Sequence, residues 1–241
     1  MLRCYTILSV LIVSLGLELS QVNAGMVFSD NFNTGASTLW GNEAGNWIAS
    51  GGVYYAQAPS NGPLTYSSLP FVLQDFAVDV DINKLSDGGI WLRSSNNQNG
   101  ILLVTGGGYS GYTGLYWHII QNGSLSTGLN IVNGLFTPGV SNAHLHITVS
   151  GNTYSAFVNG STTAATTLTT STFASGKVAL YDYSNAPVET FDNVVVSAVP
   201  EPSSFVLLGA VLIGTLLGHA RRRRSPSSLT AQMASLPRRS N

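Results

Sequence analysis

Apolar and polar residues alternate along several short segments of this chain, and this pattern predicts β-strands. In residues 76–82 every second side chain is apolar, with Asp79 and Asp81 between them, and residues 144–149 repeat the pattern. Because successive side chains of a strand point to opposite faces, each segment predicts a strand with one face in the core and one in solvent. The side chains predicted to face inward are Phe76, Val78, Val80, Ile82, Leu145, Ile147 and Val149.

Turn residues separate the alternating segments. Ser150-Gly151-Asn152 and Asn159-Gly160 enclose residues 153–158, and Asn-Gly is a strong hairpin signal. Short strands joined by Gly, Asn and Ser turns, with no convincing helix between them, favour an all-β, antiparallel β-sandwich. Further strands are predicted at residues 53–56, 89–93, 101–105, 115–121, 177–183 and 191–196, and a loop or weak edge strand at 161–171.

The first 24 residues have a different pattern. Arg3 precedes an apolar stretch at residues 5–17, and Val22-Asn23-Ala24 is a small-residue cleavage site. These features predict a secretory signal peptide over residues 1–24. Cys4 is the only cysteine, so the exported protein is predicted to have no disulfide and no Cys-ligated metal.

A second uncharged segment, residues 205–218, precedes four consecutive arginines near the C-terminus. Residues 203–220 would span about 27 Å as a helix, close to the roughly 30 Å hydrocarbon core of a bilayer. This predicts a transmembrane helix at about 203–220, with the arginines and the tail 225–241 in the cytoplasm. A buried core helix is the alternative, but the segment lacks the polar face that such a helix turns to solvent.

The order of motifs in residues 199–224 resembles the PEP-CTERM sorting tail of Gram-negative bacteria. That resemblance implies export, anchoring in the inner membrane through the helix, processing by an exosortase-type enzyme, and then residence at the cell surface or in an extracellular matrix with exopolysaccharide. The family usually ends within a few residues of its arginines, whereas 17 residues follow them here. The residues that carry the motif are Val199, Pro200, Glu201, Pro202, Ser203, Arg221, Arg222, Arg223 and Arg224.

The predicted domain, residues 25–198, holds nine Asp and Glu against three Lys and Arg, a formal charge of 3 − 9 = −6. This balance disfavours nucleic acid and anionic membrane surfaces as partners. Several short segments of the domain resemble concanavalin-like and laminin-G-like jelly rolls, which implies that fold without implying an activity. These segments are residues 28–32, 47–53, 88–93, 144–152, 158–160, 176–180 and 191–194.

Catalytic patterns are weak in this sequence. Asp79 and Asp81 share one strand face about 6 to 7 Å apart, a spacing that a glycosidase could use, but two solvent-facing acids explain them better. Concanavalin-like glycosidases typically carry a Glu-x-Asp-x-x-Glu strand, which this sequence lacks, and Glu43 and Glu189 are the only glutamates of the domain. The glycine-rich residues 106–114 lack the Gly-Lys-Ser/Thr of a phosphate loop.

Sugar binding is the chemistry that the composition favours most. Trp91, Tyr109, Tyr112, Tyr116 and Trp117 fall in one strand-loop-strand stretch, and aromatic rings stack on the C–H faces of pyranoses. Core packing is the alternative for the tryptophans. We therefore predict a noncatalytic, lectin-like domain, with a glycoside-acting enzyme and a purely structural matrix protein as alternatives.

No cofactor is expected apart from a structural metal ion. The resembling domains often hold calcium near their paired termini, and Asp30 and Asp192, in the first and last strands, are the candidate ligands. His144 and His146 share a strand face and could chelate a metal, but the sequence shows no third ligand.

Overall fold

The computed structural model describes residues 25–62, 64–106, 111–183 and 189–199. The predicted signal peptide and transmembrane helix lie outside these residues. Within them the chain forms fifteen β-strands and no α-helix, and none of this part is a helix that could cross a bilayer. The strands are β1 (Gly25–Asp30), β2 (Trp47–Ser50), β3 (Val53–Ala56), β4 (Ser67–Ser68), β5 (Phe76–Asn83), β6 (Gly89–Asn96), β7 (Asn99–Thr105), β8 (Leu115–Gln121), β9 (Ser124–Leu125), β10 (Leu129–Val132), β11 (Ala143–Ser150), β12 (Thr153–Val158), β13 (Thr166–Thr169), β14 (Lys177–Tyr181) and β15 (Thr190–Ala198).

The strands form two antiparallel sheets. The first has the order β13-β12-β11-β5-β15-β3-β2, with β1 also paired to β15. The second has the order β10-β8-β7-β6-β14-β4, with β9 also paired to β8. Strands that are distant in sequence lie side by side in both sheets, as in a jelly roll. The predicted antiparallel sandwich is confirmed.

The main core lies between the two sheets. All seven side chains predicted to face inward from β5 and β11 are fully buried in it. Ile101, Leu103 and Trp117 contribute from the second sheet. Full burial of an aliphatic side chain of this size contributes about 1.5 to 3 kcal/mol to the stability of the fold. The alternation in the sequence therefore specifies which face of each strand packs in the core.

Most predicted strands are confirmed within one to three residues at each end. Residues 161–171 were predicted to be a loop or weak edge strand, and β13 lies there at the edge of the first sheet. The short strands β2, β4, β9 and β10 were not predicted. They have two to four residues each, too few for a periodic pattern. β4, β9 and β10 form because a longer neighbour provides their hydrogen-bonding partners.

Arg93 joins the two sheets at one end of the sandwich. Its side chain is 1% exposed and donates to the backbone oxygens of Gln74 and Phe173 and to the carboxylate of Asp75. The guanidinium also lies 5.3 Å from the centre of the Tyr154 ring. A buried cation is stable when its donors are satisfied in this way, so Arg93 has a structural role.

The described chain enters and leaves the domain at this same end. Gly25 pairs with Ala198, and the Val199 amide donates to the backbone carbonyl oxygen of Asp75 at 3.0 Å. At the opposite end, β5 finishes at Asn83 beside Thr190. The described chain therefore begins and ends at one end of the sandwich, and the β5–β6 connection marks the other.

Candidate functional site

The second sheet is apolar on both faces. Its inner face belongs to the main core, and its outer face carries a second cluster of buried apolar residues. Pairing register places two rows of outer-face residues side by side across the sheet. One row contains Tyr181, Gly89, Val104 and Tyr116, and the adjacent row contains Ala179, Trp91, Leu102 and His118.

Part of this outer face is covered, and part of it forms a depression. Tyr66 packs edge-on against Trp91 with ring centres 5.7 Å apart, and Leu64 belongs to the same buried cluster. Beside this covered area lies a small depression, partly open to solvent, with a cavity volume of about 50 Å³. Its lining residues are Asn61, Asp87, Leu102, Val104, Tyr116, His118, Leu125, Tyr181 and Tyr183.

The floor and the walls of the depression differ in chemistry. Leu102, Val104 and most of the Tyr116 and Tyr181 rings are buried and form an apolar floor. The walls are more accessible: Asn61 is exposed, while His118 and Tyr183 are half-buried, and Leu125 is 40% exposed. A ligand would therefore meet aromatic edges and polar tips above an apolar base.

Hydrogen bonds made by Tyr181 and His118 determine which groups of the site can donate to a ligand and which can accept from it. The Tyr181 hydroxyl donates to Asn61 Oδ1 at 3.0 Å, and burial raises the pKa of this phenol well above its usual value. His118 Nδ1 lies 2.7 Å from the Ser126 carbonyl oxygen, which can only accept. Burial lowers the pKa of His118. The ring is therefore neutral at pH 7, with its proton on Nδ1 and an acceptor lone pair on Nε2.

A run of aromatic contacts supports the His118 ring. Tyr112 meets Tyr116 with ring centres 4.9 Å apart and planes at 66°. Tyr116 in turn meets His118 at 5.3 Å and 82°. Edge-to-face contacts of this kind hold rings in fixed orientations, so these side chains are arranged before any ligand binds.

Carboxyl groups gather at the end of the depression nearest the β5–β6 connection. Asp87 lines the depression, and Asp182 and Glu189 are fully buried nearby. Glu189 accepts hydrogen bonds from the amides of Ser86 and Gly88 and from the Thr105 hydroxyl. Burial, together with the neighbouring Asp182, raises the pKa of Glu189 well above its usual value. This end of the site is acidic.

The residues predicted to bind sugar are separated by the structure. Tyr116 lies in the depression and Tyr112 packs against it, while Tyr109 lies outside the described residues. Trp117 is 0% exposed in the main core, and Trp91 is on the outer face but is 0% exposed beneath Tyr66. Neither tryptophan offers a ring face to a ligand, and both pack the fold instead.

Sequence reasoning missed Asn61, His118, Tyr181 and Tyr183. A usable signal existed for three of them. His118 alternates with Trp117 in β8, and Tyr181 and Tyr183 share the face opposite Leu180 in the strand predicted at 177–183. Asn61 follows from the tertiary fold, because it reaches the site from a loop that has no periodic pattern.

The other candidate carboxylates lie away from this depression. Asp79 and Asp81 are half-exposed on the outer face of the first sheet and face histidines across the strands. His146 Nδ1 is 2.8 Å from Asp79 Oδ1, and His144 Nδ1 is 2.7 Å from Asp81 Oδ1. The carboxylate of Glu43, an exposed residue, accepts from the amide and hydroxyl of Ser68.

The two predicted calcium ligands, Asp30 and Asp192, line separate depressions on the first sheet. Asp30 accepts from the amides of Phe32 and Ser37 and from the Trp40 indole, all at 2.8 to 3.0 Å. Across the described part of the chain, no group of three or more His, Cys, Asp and Glu side chains is placed to hold a metal ion. The calcium site stays a prediction, and these contacts assign Asp30 the role of ordering its own loop.

Comparison with known proteins identifies the C-terminal segment. The family model described as "PEP-CTERM protein-sorting motif" matches residues 198–224. The prediction made from residues 199–224 is confirmed, and the motif indicates export by way of a membrane-anchored sorting signal. No curated protein matches the chain.

Solved structures resemble the domain in fold. The carbohydrate binding module CBM66 from Bacillus subtilis has a TM-score of 0.54 at 18% identity, covering 67% of this chain and 96% of the module. A β-glucanase from Bacillus licheniformis has a TM-score of 0.49 at 13% identity, with 73% and 99% covered. A glycosyl hydrolase, described as putative, from Parabacteroides distasonis has a TM-score of 0.47 at 12% identity, with 71% and 94% covered. The first of these supports the jelly-roll fold.

Proposed function

We propose that this protein is an exported, noncatalytic glycan-binding protein whose ligand occupies the depression on the outer face of the second sheet. The observation that carries the proposal is the preformed combination there of an apolar aromatic floor with polar wall groups from Asn61, His118 and Tyr183. Sugars need both, because their C–H faces pack on aromatic rings and their hydroxyls need hydrogen-bonding partners.

The small size of the depression favours a protruding part of a glycan. Pockets for drug-sized ligands span roughly 300 to 1,000 Å³, whereas this cavity has a volume of about 50 Å³. The site would receive one edge of a terminal or protruding sugar, and the rest of that ring would lie outside it. The rest of the glycan would lie along Leu125, an apolar side chain at the depression that is 40% exposed.

The placement of the glutamates favours binding over catalysis. A glycosidase needs two carboxyl groups that reach opposite sides of the sugar. Glu189 is fully enclosed and is held by three donors, and Glu43 is held by Ser68. We therefore favour the noncatalytic function over a glycoside-acting enzyme.

The sorting motif supplies the cellular context of the proposal. An exosortase-type enzyme would process the protein at this motif and release the domain to the cell surface or the extracellular matrix. The ligand would then be an exopolysaccharide of that matrix. A domain with formal charge −6 is suited to this setting, since it stays soluble and is repelled by anionic lipid surfaces.

A glycan array followed by titration tests the proposal. Residues 25–199, produced without the tail, should bind at least one polysaccharide, and the double variant His118→Ala/Tyr183→Ala should bind it at least about tenfold more weakly, a change of about 1.4 kcal/mol. Tyr55→Ala is the matched control, because Tyr55 is half-buried on β3 of the other sheet. Its affinity should equal that of the wild type.

Two results would count against the proposal. Equal binding by the double variant and the wild type would place the glycan elsewhere on the domain. Release of reducing ends from the bound polysaccharide, lost in Glu189→Gln, would show instead that the protein is an enzyme.

A further inference from the structure

The sorting motif and the folded domain overlap by two residues. The motif begins at residue 198, whereas β15 ends at Ala198 and the backbone amide of Val199 is bonded to the domain. We infer that the folded domain sets the N-terminal limit of proteolytic processing: the peptide bonds of β15, up to the one that joins Ala198 to Val199, are closed to a processing enzyme. The released domain therefore keeps both residues. This inference rests on the processing at the motif that is proposed above.

The end of β15 has a strand on each side. Ala198 pairs with Phe76 of β5 on one side and with Gly25 of β1 on the other. Ser197 lies between the same two strands. An enzyme that binds an extended peptide adds to a free backbone edge of that peptide. At Ser197 and Ala198 both edges are already occupied by the domain.

Val199 is attached to a segment that is itself held in place. Its amide donates to the backbone carbonyl oxygen of Asp75 at 3.0 Å. The Asp75 carboxylate accepts from Arg93 Nη2 at 3.2 Å and from the Gly151 amide at 2.9 Å. Through Asp75, the first residues of the sorting motif are thus connected to β6 and to the turn between β11 and β12.

Cleavage within β15 requires the end of this strand to open first. Val194 and Val196 are 0% exposed in the main core, and Val196 pairs with Phe28 of β1. Proteases cut a folded protein in the fraction of molecules whose local structure is open. Opening here separates β15 from two strands and exposes apolar surface, so that fraction is small.

Limited proteolysis of the full chain measures where protection ends. The protein is purified in detergent and treated with proteinase K, which cuts after aliphatic residues such as Val194, Val196 and Ala198. Intact mass then gives the C-terminal residue of each surviving domain. We expect every surviving domain to end at Val199 or later, and cleavage inside β15 only when urea unfolds the domain. A folded domain that ends between residues 190 and 198 would overturn the inference.

A deletion tests the contribution of β1. Removing Gly25 and Met26 takes away the β1 partners of Ala198 and Ser197 but no core side chain, because Met26 is 69% exposed. Domains that end at residues 196–198 should then form severalfold faster. Met26→Ala keeps the backbone pairing and is the matched control, so its cleavage rate should equal that of the wild type. An unchanged rate in the deletion variant would overturn the protection by β1.

Hydrogen exchange gives the same information without a variant. The Val199 amide of the wild type should exchange slowly, because it is bonded to Asp75. Exchange of this amide at the rate of an unstructured peptide would overturn the inference.

The processing enzyme itself separates the inference from the function on which it rests. In cells that carry an exosortase-type enzyme, the mass of the released domain should place its C-terminus at Val199 or later. A released domain that ends before Val199 overturns the inference while processing at the motif stands. If the chain stays unprocessed, processing at the motif fails and the inference fails with it.

Discussion

Single buried polar residues determine much of what this domain can do. Arg93 satisfies its donors with backbone oxygens and Asp75, and Glu189 satisfies its acceptors with two amides and a hydroxyl. The two differ in their electrostatics. Arg93 has a carboxylate partner, whereas Glu189 faces a second acid, Asp182, in a fully buried setting. Glu189 is therefore the residue at which pH should affect stability.

We expect the free energy of unfolding to fall as pH rises above about 4.5, the usual pKa of this group. In the folded state the pKa of Glu189 is higher, so the native protein holds a proton that the unfolded chain has released. This contribution is fully present below pH 4.5 and is lost as pH rises toward the folded-state pKa. Urea denaturation from pH 4 to 8 measures it.

Glu189→Gln should remove this decline, because the amide stays neutral at every pH and its oxygen can accept from the Ser86 and Gly88 amides. The Asp192→Asn variant is the control and should keep the wild-type slope. An unchanged pH slope in Glu189→Gln would show that Glu189 is ionised in the folded protein at neutral pH.

At the scale of strands, the alternation of apolar and polar residues predicts which side of a strand faces the core. It does not predict which other segments cover the opposite side. The inward residues of β5 and β11 were predicted correctly. Tyr116 and Trp117 were both proposed for sugar binding, although neighbours on a strand face opposite sides. Trp91 does face outward, but Tyr66, from a distant segment of the chain, packs against it and prevents its contact with a ligand. Such coverage depends on tertiary packing and leaves no local pattern in the sequence.

Gly89 affects both the pairing of strands β6 and β7 and the shape of the site. It lies between Tyr181 and Val104 in one row of the outer face, and a Cβ added there would be 2.0 Å from the Leu103 carbonyl oxygen. Gly89→Ala should therefore force β6 and β7 apart and cost about 3 kcal/mol or more. Gly62→Ala, where an added Cβ meets nothing within 4 Å, should be nearly neutral. Equal denaturation midpoints for the two variants would contradict the close approach.

At the scale of the whole domain, the site and the chain ends lie apart. Gly25 and Val199 are at the Arg93 end, while Gly89, Val104 and Tyr181 are at the end where β5 passes into β6. The sorting motif itself occupies residues 198–224.

The most direct test of the glycan site is an amide chemical-shift titration of ¹⁵N-labelled residues 25–199 with the polysaccharide selected on the array. We predict that the shifted amides cluster at residues 102–104, 116–118 and 181–183, with Asn61 and Asp87 among them. Shifts confined to the first sheet, around His144 and Asp81, would contradict the site assigned to the outer face of the second sheet.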